Sequence, residues 1–531
     1  MPESAPRIMF YHDGRHPLIY MYEPPIEKEE YEAAVNELAG TPVEALMFCM
    51  GDGRTVLHET EVGELWGHNV DVWSHMIFRR AHQNAKKLID EGNDPLQIIL
   101  KKAHATGMLF YPVLLVQQGR GKREDDTRCS EFRYDNQHLE IGARGDLEPD
   151  YPGFTCLDFT HEEVREERFA LIDETLRKYD VDGFELQLNY FPHYFHPDET
   201  EAGCAIMTAW VRRVYEAVKE SGANRELVIR VPASVEGCLE VGMDVKAWIQ
   251  AGIVDVLVGQ TFSHPELVDT TADFRSLVEA AADSADCRVL ATIHSHMDSD
   301  RLAEAPIEVV RACATNYWAQ GVDGLYVGHW FSNWPYTASF YEKLRELPHP
   351  HVMAAKDKHY YVPTGTKRHP VPVTEPGLEI LLPMDLQVGE AAEINLTVSD
   401  DLRRWERVGR VHEVILRFRV MGISEIDRLQ FSFNGRELPK TSMRRINQLY
   451  RMTAPRYRTE SGYWFIFRLD SENLPEQGTN RVGVLLLEKD PHIPPRVFLR
   501  DVELEIKYLM GKGFHRELVD ADLGSYEGVN E

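Results

Sequence analysis

From residue 7 to 345 the chain alternates short apolar runs with amphipathic stretches. Eight apolar runs recur, at 7–11, 43–50, 108–116, 183–188, 227–231, 254–260, 288–294 and 324–327. Each is rich in Val, Ile, Leu or Phe and short, as a strand buried on both faces of a parallel sheet should be. Helical patterns lie between them. Thr160-His-Glu-Glu163 reads as a capping box opening a helix that runs to about Tyr179. Residues 200–221 and 306–319 are helical in pattern, with Gly222 and Gly321 as stops. Eight strand–helix units over residues 1–347 predict a (β/α)8 TIM barrel. A doubly wound open sheet would need a Gly-rich phosphate loop after its first strand, and none follows residues 7–11.

Past residue 347 the pattern changes. Leu347-Pro-His-Pro-His351 opens a Pro/His-rich stretch, residues 348–376, that reads as a linker. Alternating runs follow at 377–382, 392–398, 411–420, 428–434, 464–469, 481–487 and 497–508. Turn signals separate them, among them the hairpin dipeptide Asn434-Gly435. Residues 377–511 are therefore expected to form an accessory all-β sandwich, followed by a polar, acidic tail, 512–531.

Charge narrows the partners. Lys and Arg number 58 against 86 Asp and Glu, a formal net charge of −28. A surface that negative repels nucleic acid and anionic lipid, so neither is expected. No stretch reaches the roughly 20 apolar residues of a membrane span. Residues 1–22 lack a charged-then-apolar leader pattern, which predicts a cytoplasmic protein. The seven cysteines are widely spaced without a CxxC pair, so free buried thiols are expected rather than disulfides or zinc ribbons.

The active face of such a barrel is at the C-terminal ends of its strands. In the fourth run, Phe184, Leu186 and Leu188 share one parity and should face the helices. Glu185, Gln187 and Asn189 share the other and should project inward. Each buried polar group costs a few kcal/mol if unpaired, so this parity predicts a functional lining. Tyr190 follows directly. Other strand ends are polar too: His12 and Asp13 on the first, Asp52 on the second, Arg230 on the fifth with Glu236 in its loop, Gln260 on the sixth. The seventh gives Thr292, His294 and His296, and the eighth gives His329 and Trp330. Residues 117–158 are too long for an ordinary connection and read as a flap over the pocket.

Aromatic rings, amides and carboxylates together suit hydroxyl-rich ligands. Glycoside cleavage requires two carboxyl groups. Glu185 is the first candidate, and the second is open among Asp13, Asp52, Glu236 and Asp298. Gln187, Asn189, Tyr190, Arg230, Gln260, His294, His296, His329 and Trp330 are the candidate substrate-binding residues. A metal-dependent hydrolase or isomerase using His12, His294, His296, Asp13 and Glu185 is an alternative, but the spacing carries no metal signature and no cofactor is expected. A serine hydrolase is disfavoured because no G-x-S-x-G follows any strand.

Tyr20-Met-Tyr-Glu-Pro-Pro25, Val181-Asp-Gly-Phe-Glu185, Arg230-Val-Pro232, Asp244 with Trp248, and Val322-Asp-Gly-Leu-Tyr326 together resemble the bacterial glycosyl-hydrolase-like, family-10-like barrel proteins. The resemblance spans residues 7–345. It implies a TIM barrel with a C-terminal sandwich and a glycosidase acting through Glu185. Members often carry an acid where this chain has Gln187, and an Arg-Met-Asn-Asp-like stretch where it has Val116-Gln-Gln118. One acid in place of two implies either a different nucleophile or a carbohydrate-binding barrel without hydrolysis. Homo-oligomerisation is left open.

Overall fold

In the computed structural model, residues 5–512 are described except 74, 118, 120, 125, 129, 262–266, 285, 298–303, 365–380 and 448–461; of the tail, residues 514, 516, 519–520 and 524–525 are described. All eight apolar runs are strands of one closed parallel barrel. They are β1 (Ile8–His12), β2 (Ala45–Asp52), β3 (Leu109–Leu115), β4 (Gly183–Gln187), β5 (Glu226–Pro232), β6 (Val256–Gln260), β7 (Arg288–Ile293) and β8 (Gly324–Val327). The ring closes where β1 pairs β2 on one side and β8 on the other, with Met9 opposite both Ala45 and Tyr326. Helices cover the outside, among them Glu162–Lys178, Thr200–Ser221 and Ile307–Ala319.

One expected detail differs. The helix opening at Glu162 is capped by His161, not Thr160, and no capping box forms. Asp158 takes the Thr160 backbone N–H at 2.8 Å instead. A local Asx turn has displaced the cap.

The barrel interior is filled in layers, two of them charged. Near the N-terminal end, Tyr111 of β3 donates to Glu226 of β5 at 2.7 Å, and Arg288 of β7 reaches the same carboxylate at 2.9 Å. Gly183 makes room for this layer, since a Cβ there would lie 2.5 Å from the Tyr111 ring.

The C-terminal region is a two-sheet sandwich. One sheet holds Lys358–Tyr361, Val411–Met421, Met443–Asn447, Gly462–Leu469 and Phe498–Tyr508; the other holds Ala391–Val398, Arg428–Phe433 and Gly478–Glu488. Leu416, Phe418, Phe431, Phe467 and Val484 fill the space between them. Asn434 and Gly435 both take positive φ, 48° and 76°, as the hairpin dipeptide requires. The expected run 377–382 lies mostly outside the described residues.

The stretch expected as a linker is partly built into the fold. Pro350–Met353 is a helical turn, and Lys358–Tyr361 is a sandwich strand paired with Phe498–Tyr508. This strand lies against helix Ile307–Ala319 of the barrel. The Tyr361 N–H donates to Thr270 Oγ1 at 2.9 Å, and Asn316 Nδ2 donates to the carbonyls of Thr270 and Thr397 at 2.7 and 3.0 Å. Lys358 is buried and donates to Asp400 Oδ1 at 2.8 Å; the Tyr508 hydroxyl donates to the same oxygen and the Tyr360 hydroxyl to Oδ2. Among the described residues no helix is long and apolar enough to cross a membrane.

Candidate functional site

Strand parity places Glu185 and Gln187 inside the barrel, at different depths. Glu185 is wholly inaccessible and closes the middle of the barrel. Its Oε1 accepts from Arg230 Nε at 2.8 Å and Nη2 at 2.5 Å, and its Oε2 accepts from the Tyr326 hydroxyl at 2.7 Å. The Arg230 guanidinium lies between two rings, 4.4 Å from the Tyr11 centroid and 4.3 Å from that of Tyr326. Burial raises the Glu185 pKa, and Arg230 and Tyr326 pull against it.

Above this plug, at the strand C-termini, opens a cavity of about 510 Å3. Tyr11 and Gln187 form part of its floor, Tyr190, Phe331 and Trp334 its aromatic walls, and Asp13, Arg15, His16, Arg128 and His329 its charged and ionisable lining. Phe331 organises three imidazoles, with ring centroids 5.7 Å from His12, 4.7 Å from His16 and 4.7 Å from His329.

Asp13 anchors the polar side. Its carboxylate accepts the backbone N–H groups of Arg15 and His16 at 3.0 Å each and lies 3.5 Å from Arg15 Nε. Burial opposes its ionisation. The hydrogen bond from His16 and the charges of His16 and Arg15 outweigh that cost and hold its pKa far below the usual carboxylate range. Asp52, from β2, lies 3.4 Å from Arg15 Nη1 and 3.8 Å from Arg128 Nε. Arg15 thus spans two carboxylates; burial works against its charge, but Asp52 and Asp13 raise its pKa. His12 Nδ1 accepts the Gly14 N–H at 3.1 Å, which leaves its proton on Nε2. Burial pushes its pKa down to about 4, so the ring is neutral near pH 7.

On the β4, β6 and β7 side several buried polar atoms have no hydrogen-bond partner: Gln187 Oε1, both amide atoms of Asn189, Gln260 Nε2 and Thr292 Oγ1. Gln260 Oε1 is 3.4 Å from Arg230 Nη1. His294 is buried beside Thr292, and both crowd Gly328, where a Cβ would lie 2.8 Å from Thr292 Cγ2 and 3.2 Å from the His294 ring.

Backbone strain marks the same face. Among the described non-glycine residues only Phe191, His329 and Asn434 have positive φ. Asn434 is explained by its hairpin. Phe191 and His329, at 50° and 56°, sit in the loops after β4 and β8. Each costs of order 1–3 kcal/mol, and such strain concentrates at functional sites.

The other anticipated residues fall at different places. Glu236 is exposed on helix Val235–Glu240 and is not among the residues lining the cavity. Trp330 is buried and donates to the Ile293 carbonyl at 3.0 Å, so it packs the eighth loop against β7. His296 is half-buried, 5.9 Å from the His329 ring. Asp298 lies outside the described residues. Among the described residues no group of three or more His, Cys, Asp or Glu stands close enough to hold a metal ion. Sequence reading passed over Arg15, His16 and Arg128. Arg15 and His16 directly follow Asp13, which was the available signal; Arg128 lies within the expected flap.

No family model matches the chain, and a search of curated sequences finds no match. Solved structures similar to it include alpha-L-fucosidase isoenzyme 2 from Paenibacillus thiaminolyticus, at 12% identity and TM-score 0.42, over 66% of this chain and 50% of that one. The chain therefore spans half the length of that fucosidase. The PgaB (BpsB) glycoside hydrolase domain from Bordetella bronchiseptica is similar at 11% identity and TM-score 0.41, over 65% and 99% of the two chains. The endo-1,4-beta-mannanase from Rhizomucor miehei is similar at 10% identity and TM-score 0.41, over 67% and 97%. Likeness of this degree carries no information about chemistry.

Proposed function

We propose that this barrel binds a carbohydrate in the cavity above Gln187 and acts on it as a glycoside hydrolase-like enzyme. The observation that carries the reading is the composition of that one cavity. An ionised carboxylate, Asp13, meets an amide, Gln187, between aromatic walls from Tyr190, Phe331 and Trp334. Sugars combine apolar ring faces with outward hydroxyls, and this lining offers surfaces for both. Among the described residues Asp13 is the carboxyl that lines this cavity, and Asp52 stands behind it against the same Arg15. Asp13 is the carboxyl assigned to the reaction, as the ionised group that stabilises or attacks the developing oxocarbenium centre. Glu185 is assigned to the sealed interior beneath it.

A panel of aryl glycosides and oligosaccharides tests this. Turnover of one of them that falls at least about a hundredfold in Asp13→Asn, with sugar binding retained, supports the assignment. Unchanged turnover in Asp13→Asn removes it.

A second reading is favoured by one observation: both aspartates are already committed to Arg15. In that reading the barrel binds carbohydrate without cleaving it. Tight binding with no turnover across the panel would select it.

A further inference from the structure

We infer that the cleft between barrel and sandwich is a second ligand site, one that takes an uncharged saccharide between Trp318 and Trp405. It goes beyond the barrel cavity and shares with the reading above only the class of ligand.

The cleft encloses about 310 Å3, within the roughly 300–1000 Å3 of small-ligand pockets, which favour domain interfaces. Each half of the molecule supplies one indole to it. Trp318 stands on helix Ile307–Ala319 of the barrel, and Trp405 on the helical turn Leu402–Arg407 of the sandwich. Both rings are half-buried, so each keeps surface that a ligand can cover. Both are also held in place by the fold. The Trp318 indole N–H donates to the Leu347 carbonyl at 2.8 Å, and the Arg7 guanidinium, which is not part of the lining, lies 4.6 Å from the ring centroid. Trp405 meets the Tyr508 ring edge-on, with centroids 6.4 Å apart. Asp401 Oδ1 accepts the Arg404 N–H at 3.0 Å and fixes the start of the turn that carries Trp405. The hydrogen bonds of Asn316 and Tyr361 across the junction set the spacing between the two walls.

The polar lining has capacity to spare. The buried pair Lys358 and Asp400 satisfy each other. The exposed Gln477 donates its Nε2 to the Ser399 carbonyl at 3.0 Å. Among the described residues nothing pairs with Gln477 Oε1, with the Trp405 indole N–H, or with the Arg404 guanidinium, which lies 4.9 Å from the Trp405 ring. Donors and an acceptor thus stand beside two indoles. A sugar matches that combination, because its C–H face covers a ring while its hydroxyls both donate and accept. A hydrocarbon would leave the polar groups unpaired, and a bare ion would leave the indoles uncovered.

NMR of the indole N–H signals of the full chain tests this. Trp318→Phe, Trp405→Phe and Trp334→Phe assign three of the nine tryptophans. The titrants are glucose, galactose, mannose, N-acetylglucosamine, cellobiose and maltose. The expected result is that at least one of them moves the Trp318 and Trp405 signals together, with a midpoint on the order of 1 mM. In Trp405→Ala the Trp318 response should weaken at least about tenfold. Gln477→Ala, at an exposed position, should weaken it about threefold and decides the point if a thermal melt finds Trp405→Ala unfolded. Trp334 lines the barrel cavity and reads that site separately. Trp318 and Trp405 signals that stay still with every titrant, or a Trp318 response unaltered in the folded variant, overturn the inference; a Trp334 response in that case leaves the barrel reading standing. A silent Trp334 beside moving Trp318 and Trp405 signals supports the inference and counts against the barrel reading alone.

Discussion

Arg230 reaches across the barrel from β5 to Glu185 on β4, with Nε 2.8 Å from Oε1, and neither side chain is more than 2% exposed. Two charges this deep are tolerated only as a pair. Removing one leaves the other buried without a counter-charge, which costs about 3–5 kcal/mol. Glu185→Gln and Arg230→Gln should each lower stability by that order. The double variant Glu185→Met/Arg230→Met should recover most of the loss. Urea unfolding of the parent and the three variants checks this; a Glu185→Gln protein as stable as the parent would show that the pair does not hold the barrel.

Acid should weaken the fold before the carboxylates titrate. Burial, aided by Lys178, pushes the His58 pKa down to about 3, and burial pushes that of His12 down to about 4. The unfolded chain binds these protons from about pH 6.5 downward, whereas the folded chain does not. The stability these two histidines contribute is therefore fully present above about pH 6.5 and is lost as pH drops toward 4. At about 1.4 kcal/mol per pKa unit, each histidine contributes a loss on the order of 3 kcal/mol across that window. His58→Gln should flatten the dependence of the urea midpoint on pH; an unaltered slope would exclude His58 as a source.

Gly328 is a packing requirement for the site. Thr292 is β-branched and fixed on a barrel strand, so it cannot move aside cheaply for a new Cβ at 2.8 Å. Gly328→Ala should cost about 1–3 kcal/mol and displace the His294 ring. The His294 imidazole NMR signals and the melting temperature report on both, and a variant with parent values in each would refute the contact.

Asp13 should not titrate within the working range. Its carboxyl is held far below the usual range, so an acid limb in any activity profile must come from another group. Asp13→Asn should abolish turnover at every pH tested. A profile that merely shifts in that variant would assign the limb to Asp13.

The barrel was legible because its strands are buried on both faces and their apolar runs stand out from the helices between them. Parity also told which side of β4 faces inward. It could not tell depth, and depth separates Gln187, on the cavity floor, from Glu185, sealed one layer below. The strand Lys358–Tyr361 was hidden for a different reason. Its first residue is a lysine whose burial makes sense only beside Asp400, on another element. Arg15 was hidden likewise, since its role depends on Asp52 from the neighbouring strand. Pairings made across the fold leave no periodic trace along the chain.

The strand Lys358–Tyr361 also bears on how the molecule comes apart. The stretch that leaves the barrel is hydrogen-bonded to the last long strand of the sandwich and back to Thr270 of the barrel. A protease nick just ahead of it, near residues 348–356, would sever the peptide without separating the halves. The two fragments should travel together on a sizing column and part only in denaturant.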